Sequence, residues 1–279
     1  MDSKPFPALF LSHGSPMTAL EPREAGAFMS QLGQTLDHIW GRPRAVLALS
    51  AHSLAHGLVG LAADRHEAVY DFGGFDPALY RLRYDAPGAP ALADRLAALL
   101  GSRFTRHPQG GLDHGIWTPM RYLYPDASVP VLPLAWSPHE SPERLFKLGQ
   151  DLAPLLREGV LLLASGSITH NLRLVFQGHP EIDAAETPAS AAFREWIRLQ
   201  STARAWPALF DYRRQAPHAV DMHPTDEHLL PWFIAAGAGG PDAVPQRLHA
   251  SLTYGCLGMD AYAFGDQALK LQVALHRND

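Results

Sequence analysis

The sequence predicts an α/β fold, a single domain over residues 1–279 with a central mixed, mostly buried sheet flanked by helices. Three observations predict it. Short apolar runs alternate with segments of helical period. The runs are continuous rather than alternating, which is the pattern of strands covered on both faces. Several of them stop at a turn that carries a histidine, at the kind of strand end where open α/β sheets bind ligands. With 47% hydrophobic and 18% charged residues in a chain of 279, a sizeable core is expected and disorder is not.

The predicted strands come in order. Ala8–Leu11 runs into Ser12-His13-Gly14-Ser15-Pro16, and Ala45–Leu49 runs into Ser50-Ala51-His52. Val131–Leu134 is the third. Val160–Ala164 is the fourth and stops at Ser165-Gly166-Ser167. Residues 250–257 (ASLTYGCL) are expected to add a strand near the C-terminus. Helical spacing marks Ala89–Leu100, Pro142–Leu156 and Pro188–Gln200, with Pro142 suited to a first helical turn. Thr225–Ala236 opens on a threonine and an acidic turn, which also predicts a helix. Residues 64–88 and 101–119 read as long loops, and long loops in a compact domain are more often functional than idle.

Composition excludes several classes. The formal net charge is -5 and no Lys/Arg cluster is present, so nucleic acid is not an expected partner. Cys256 is the one cysteine, so neither an internal disulfide nor a cysteine-built zinc cluster can form, which suits a reducing cytosol. The start Met1-Asp2-Ser3-Lys4-Pro5 does not read as a signal peptide, and no apolar run approaches the roughly 18–20 residues of a membrane span. A cytoplasmic protein with no membrane contact is expected. Neither GxGxxG nor GxxxxGK[ST] occurs, so no nucleotide cofactor is supported. Ser15 and Ser167 lack the GxSxG setting of a nucleophilic serine.

Histidine carries the chemistry. His13 and His52 each follow a strand, and His170 follows Val160–Ala164 by one short loop. His114 stands in the glycine-rich Leu112-Asp113-His114-Gly115, where Asp113 is placed to fix its tautomer. His228 follows Glu227 in Pro224-Thr225-Asp226-Glu227-His228. Neighbouring positions on a helix diverge by about 100°, so Glu227 and His228 are not expected to ligate one ion together. The other ten histidines lack this context and read mostly as surface or linking residues, His223 being the least safe to dismiss. Three neutral imidazoles with open positions suit zinc or ferrous iron, and ligand type alone does not choose between them.

These motifs, with Asp71-Phe72-Gly73-Gly74-Phe75 and Ser165-Gly166-Ser167-Ile168-Thr169-His170-Asn171-Leu172, resemble the class III extradiol ring-cleavage dioxygenases. The branch they resemble is the 4,5-DOPA dioxygenase type of the LigB-like superfamily, in order from about residue 8 to residue 260. The resemblance implies His13, His52 and His228 as metal ligands, His170 as acid–base catalyst and His114 as a contact to substrate oxygen. It implies one divalent metal per chain, Fe(II) for the dioxygenase reaction and Zn(II) often bound instead. The partners it implies are a small aromatic diol and O2. The related protocatechuate branch uses a glutamate as third ligand, so Glu227 stands as a rival to His228. Phe72, Phe75 and Trp117 are expected as an aromatic wall against the ring. Two other readings keep the site: a zinc hydrolase with Glu227 as base, and a non-catalytic metal-binding protein of the Memo type. Oligomeric state is not legible.

Overall fold

The computed structural model describes residues 4–277. Its centre is an eight-stranded sheet: β1 Ala8–Ser12, β2 Ala45–Ser50, β3 Leu58–Leu61, β4 Phe104–His107, β5 Val131–Ala135, β6 Val160–Gly166, β7 Gln246–His249 and β8 Ala261–Phe264. The spatial order is β4-β3-β5-β2-β6-β1-β8-β7. The four central strands β5, β2, β6 and β1 run parallel, while β3 joins β5 and β8 joins β1 antiparallel. The sheet is therefore mixed, and the α/β class is as the sequence predicts.

Successive residues of a strand face opposite sides. Leu9, Leu11, Val46, Ala48, Leu161 and Leu163 enter one hydrophobic layer. Phe10, Leu47, Leu49, Leu162 and Ala164 enter the other. Both layers are covered by helices, which is why the central runs are apolar without alternation. The longer helices are α1 Arg23–Trp40, α2 Pro90–Leu100, α3 His114–Leu123, α4 Pro142–Leu152, α5 Leu172–Gly178, α6 Pro188–Thr202, α7 Leu230–Gly239 and α8 Ala268–Leu275. Ser141 caps α4 and Thr187 caps α6, each side-chain oxygen accepting from a backbone N–H three residues on.

Four segments differ from the sequence reading. Pro142–Leu156 divides after Leu152, and a short second helix starts at Pro154, whose ring removes a helical N–H. Residues 250–257 join no strand of the main sheet but fold into a small two-stranded ribbon, Leu252–Thr253 with Leu257–Gly258, because Tyr254-Gly255 turns the chain back with positive φ at both residues. The strands near the C-terminus are β7 and β8 on either side of it. Residues 101–119 are not one loop: they include β4 and the start of α3. The helix expected from Thr225 begins at Leu230, behind Pro231. Among the described residues no helix is long and apolar enough to cross a membrane.

Candidate metal centre and active site

Parallel strands β1, β2 and β6 end side by side, and their carboxyl ends deliver the site. Ser12 pairs with Gly166, and Ser50 with Ser165. The His13 N–H donates to Gly166 O at 3.0 Å, and the Ser167 N–H donates to His228 O at 2.9 Å. That second contact requires Gly166: a Cβ there would lie 2.1 Å from His228 O. Gly115 plays a similar part beneath α3, where a Cβ would meet Ser50 Oγ at 2.5 Å and crowd His13. Two glycines thus let backbone and histidine rings approach one centre.

The five histidines of the sequence motifs gather there. Ring centroids are 5.1 Å apart for His13 and His52, 5.4 Å for His13 and His228, and 5.0 Å for His52 and His228. His114 lies 4.1 Å from His52 and 5.3 Å from His13. His170 stacks on His228 at 3.5 Å with planes 7° apart. The ligand nitrogens of His13, His52 and His114 fall within 4.8 Å of one another, and those of His170 and His228 form a second such group with Glu227. The group made of three imidazoles therefore contains His114, while His228 belongs to the second group, its ring 5.0 Å from His52.

Four of the five rings meet a partner through Nδ1. His13 Nδ1–H donates to Ser165 Oγ at 2.9 Å, and the serine hydroxyl is in turn committed to Gly115 O. His114 Nδ1–H donates to Asp71, 3.0 Å from both carboxylate oxygens. His52 Nδ1 lies 3.4 Å from Asp71 Oδ2. His228 Nδ1–H donates to Glu227 Oε1 at 3.0 Å, an oxygen that also accepts from Thr225 Oγ1. Such partners fix the tautomer and leave Nε2 with a free lone pair.

The result fits a cation. His13 Nε2 and His52 Nε2 face each other at 3.2 Å, a spacing that two nitrogens each ~2.1 Å from a shared ion would have. His228 Nε2 is buried with no hydrogen-bond partner. The rings are also held neutral, the form that binds metal. Burial, followed by the neighbouring His52, takes His13 well below its ordinary pKa. Burial, followed by His170, does the same for His228. Burial and His114 lower His52 to about 4 against the pull of Asp71. Burial and His223 lower His170 to about 4. Burial works to raise Asp71, yet its hydrogen bonds from His114 leave it below the usual carboxylate range.

A cavity of about 250 Å³ opens from these rings. Phe72 and Phe75 line it, as does the apolar side of α5. Trp117 does not. It is fully buried because α3 turns it into the packed layer, where its Nε1–H donates to Val69 O and its ring backs Phe72 at 6.4 Å. Asp113 does not orient His114 either; it accepts from Ser50 Oγ and Ser53 Oγ, and Asp71 holds the imidazole instead. Glu227 and His228 sit in a turn rather than on a helix, so the 100° divergence does not apply, and Glu227 meets His228 directly. His223 and His66 are fully buried, not surface residues. His223 Nε2–H donates to Ile168 O at 2.9 Å beside the His170 loop. Asp71 carried a sequence signal, an acid opening a glycine-rich aromatic motif. The α5 residues carried none, since their approach depends on the fold.

The comparisons agree with this architecture. A family described as the catalytic LigB subunit of aromatic ring-opening dioxygenase matches residues 7–265. A 4,5-DOPA dioxygenase extradiol of Beta vulgaris is 35% identical over 260 residues, covering 91% of this chain and 95% of that protein. One of Escherichia coli K12 is 37% identical over 246 residues, 85% of this chain and 87% of that protein. The crystal structure of an uncharacterized Escherichia coli K12 protein superposes with a TM-score of 0.74 at 29% identity, covering 93% of this chain and 99% of that one. The chain belongs to the LigB family. As an enzyme it falls in the extradiol ring-cleavage dioxygenase class.

Proposed function

We propose that this chain, acting as one catalytic domain, opens the ring of a catechol with O2, using one divalent metal held by His13, His52 and His228. The observation that carries the ligand set is the buried, unpartnered Nε2 of His228 beside the facing Nε2 atoms of His13 and His52. Ferrous iron, when bound, supplies the redox chemistry that lets dioxygen react with an aromatic ring, which zinc does not.

The chain's own residues do the rest. A catechol must lose protons from its hydroxyl oxygens. His170, neutral and lining the cavity, accepts one at its ring nitrogen and can return it later. His114 Nε2 faces the same space and contacts substrate oxygen, its ring locked by Asp71. Phe72 and Phe75 flank the ring and exclude water. Holding both reactants in one small cavity removes much of the entropic barrier.

The zinc hydrolase alternative needs Glu227 free as a base. Glu227 does not line the cavity, and its Oε1 accepts from His228 and Thr225, which favours the dioxygenase. The test is anaerobic reconstitution with Fe(II) or Zn(II), followed by exposure of a catechol panel to O2. Iron-dependent oxygen uptake with yellow ring-opened product is the expected result. Colourless mixtures across the panel, with iron demonstrably bound, would overturn the reading.

A further inference from the structure

The catechol reading leaves open what the ring carries. The cavity is lined by imidazoles and by the apolar side chains of Phe72, Phe75, Leu172, Val175, Phe176 and Leu257, with Ser15, Ser167 and Tyr254 as its neutral polar residues. Among the described residues lining it there is neither Lys nor Arg, and its one carboxylate, Asp71, is committed to His114 and His52. An α-carboxylate or ammonium on the substrate would find no free partner of opposite charge among these residues, so nothing there offsets the water it gives up. A neutral chain of the same length would instead bury apolar surface against these side chains.

We infer that the substrates of this site are catechols bearing a neutral, apolar substituent, rather than zwitterionic amino-acid catechols, and that α5 supplies this selectivity through Phe176. The inference rests on the catechol reading above. Phe176 lines the cavity although 62% exposed, so a ligand that covers it removes apolar surface from water. A separate polar cavity of about 320 Å³, lined by Glu21, Arg23 and Glu24, shares only Ser15 and Tyr254 with the first. It is the rival receptor for a charged substituent.

4-Propylcatechol and L-DOPA test this, because they have side chains of equal length and differ in the two charges. On the anaerobic Zn(II)-loaded protein, calorimetry is expected to give at least tenfold tighter binding of 4-propylcatechol. The Fe(II)-loaded enzyme is expected to give the same order in kcat/KM from oxygen uptake. Phe176→Ala is expected to narrow the ratio at least threefold, and at a position 62% exposed it leaves the core intact. Equal or tighter L-DOPA binding overturns the inference. L-DOPA preference that disappears in Arg23→Ala overturns it too, by giving the polar end to the neighbouring cavity. If the binding order holds but the iron-loaded enzyme consumes no O2 with any catechol, the dioxygenase reading fails while the pocket's selectivity stands.

Discussion

The behaviour of each imidazole follows from what its second nitrogen meets. Glu227 on His228, Ser165 on His13, and Asp71 on His114 and His52 turn four titratable rings into a directed donor set. Two substitutions separate the roles. His228→Ala is expected to lose the metal, read as metal content after dialysis. His114→Ala is expected to retain it while kcat falls; metal loss in His114→Ala with retention in His228→Ala would instead assign the third ligand to His114, which groups with His13 and His52. Asp71→Asn keeps the shape but weakens the acceptor that aligns two rings. A loss of about 10- to 100-fold in activity or metal affinity is expected, by steady-state kinetics and calorimetry.

At the scale of elements, the central strands act as fixed mounts. β6 lies between β2 and β1, and Leu162 in it is 1% exposed. Leu162→Ala is expected to cost about 2–5 kcal/mol, measured from urea denaturation, since a cavity at the sheet centre cannot collapse easily. These strands were legible because burial on both faces demands unbroken apolar runs. β3 and β4 were not, being only four residues each, with β4 at the sheet edge and mostly exposed and polar. Helix α1 was overlooked although its buried Ala25, Met29, Leu32 and Leu36 keep helical spacing. Thr225 gave a misleading start signal: the turn it begins is used to present His228, and Pro231 opens the helix instead.

For the whole molecule, buried histidines make stability depend on pH. Burial, opposed by its bond to Ile168 O, lowers His223 to about 4 in the fold, and burial lowers His249 likewise. In the unfolded chain an imidazole titrates near 6.5. Between about pH 6.5 and 4 the unfolded state therefore binds more protons, so stability rises with pH across that window and is lost as pH falls through it. Urea midpoints of the metal-free protein are expected to drop from pH 7 to pH 4.5, and His249→Gln to flatten that slope. A midpoint independent of pH would contradict neutral burial of these rings. Metal that binds only the folded state should raise the melting temperature with the logarithm of its free concentration above Kd, and a chelator should reverse this.

The amino-acid sequence by itself determined the α/β class, the four parallel strands and the five histidine motifs, because backbone periodicity and strand-end turns are local properties. Tertiary structure alone decided which acid holds which imidazole, that Trp117 packs inside while Phe72 and Phe75 line the cavity, and that Leu172, Val175 and Phe176 of α5 line it too. Those facts arise from residues far apart in the chain, such as Asp71 and His114 or His13 and Ser165, whose contacts exist only once the sheet brings its carboxyl ends together.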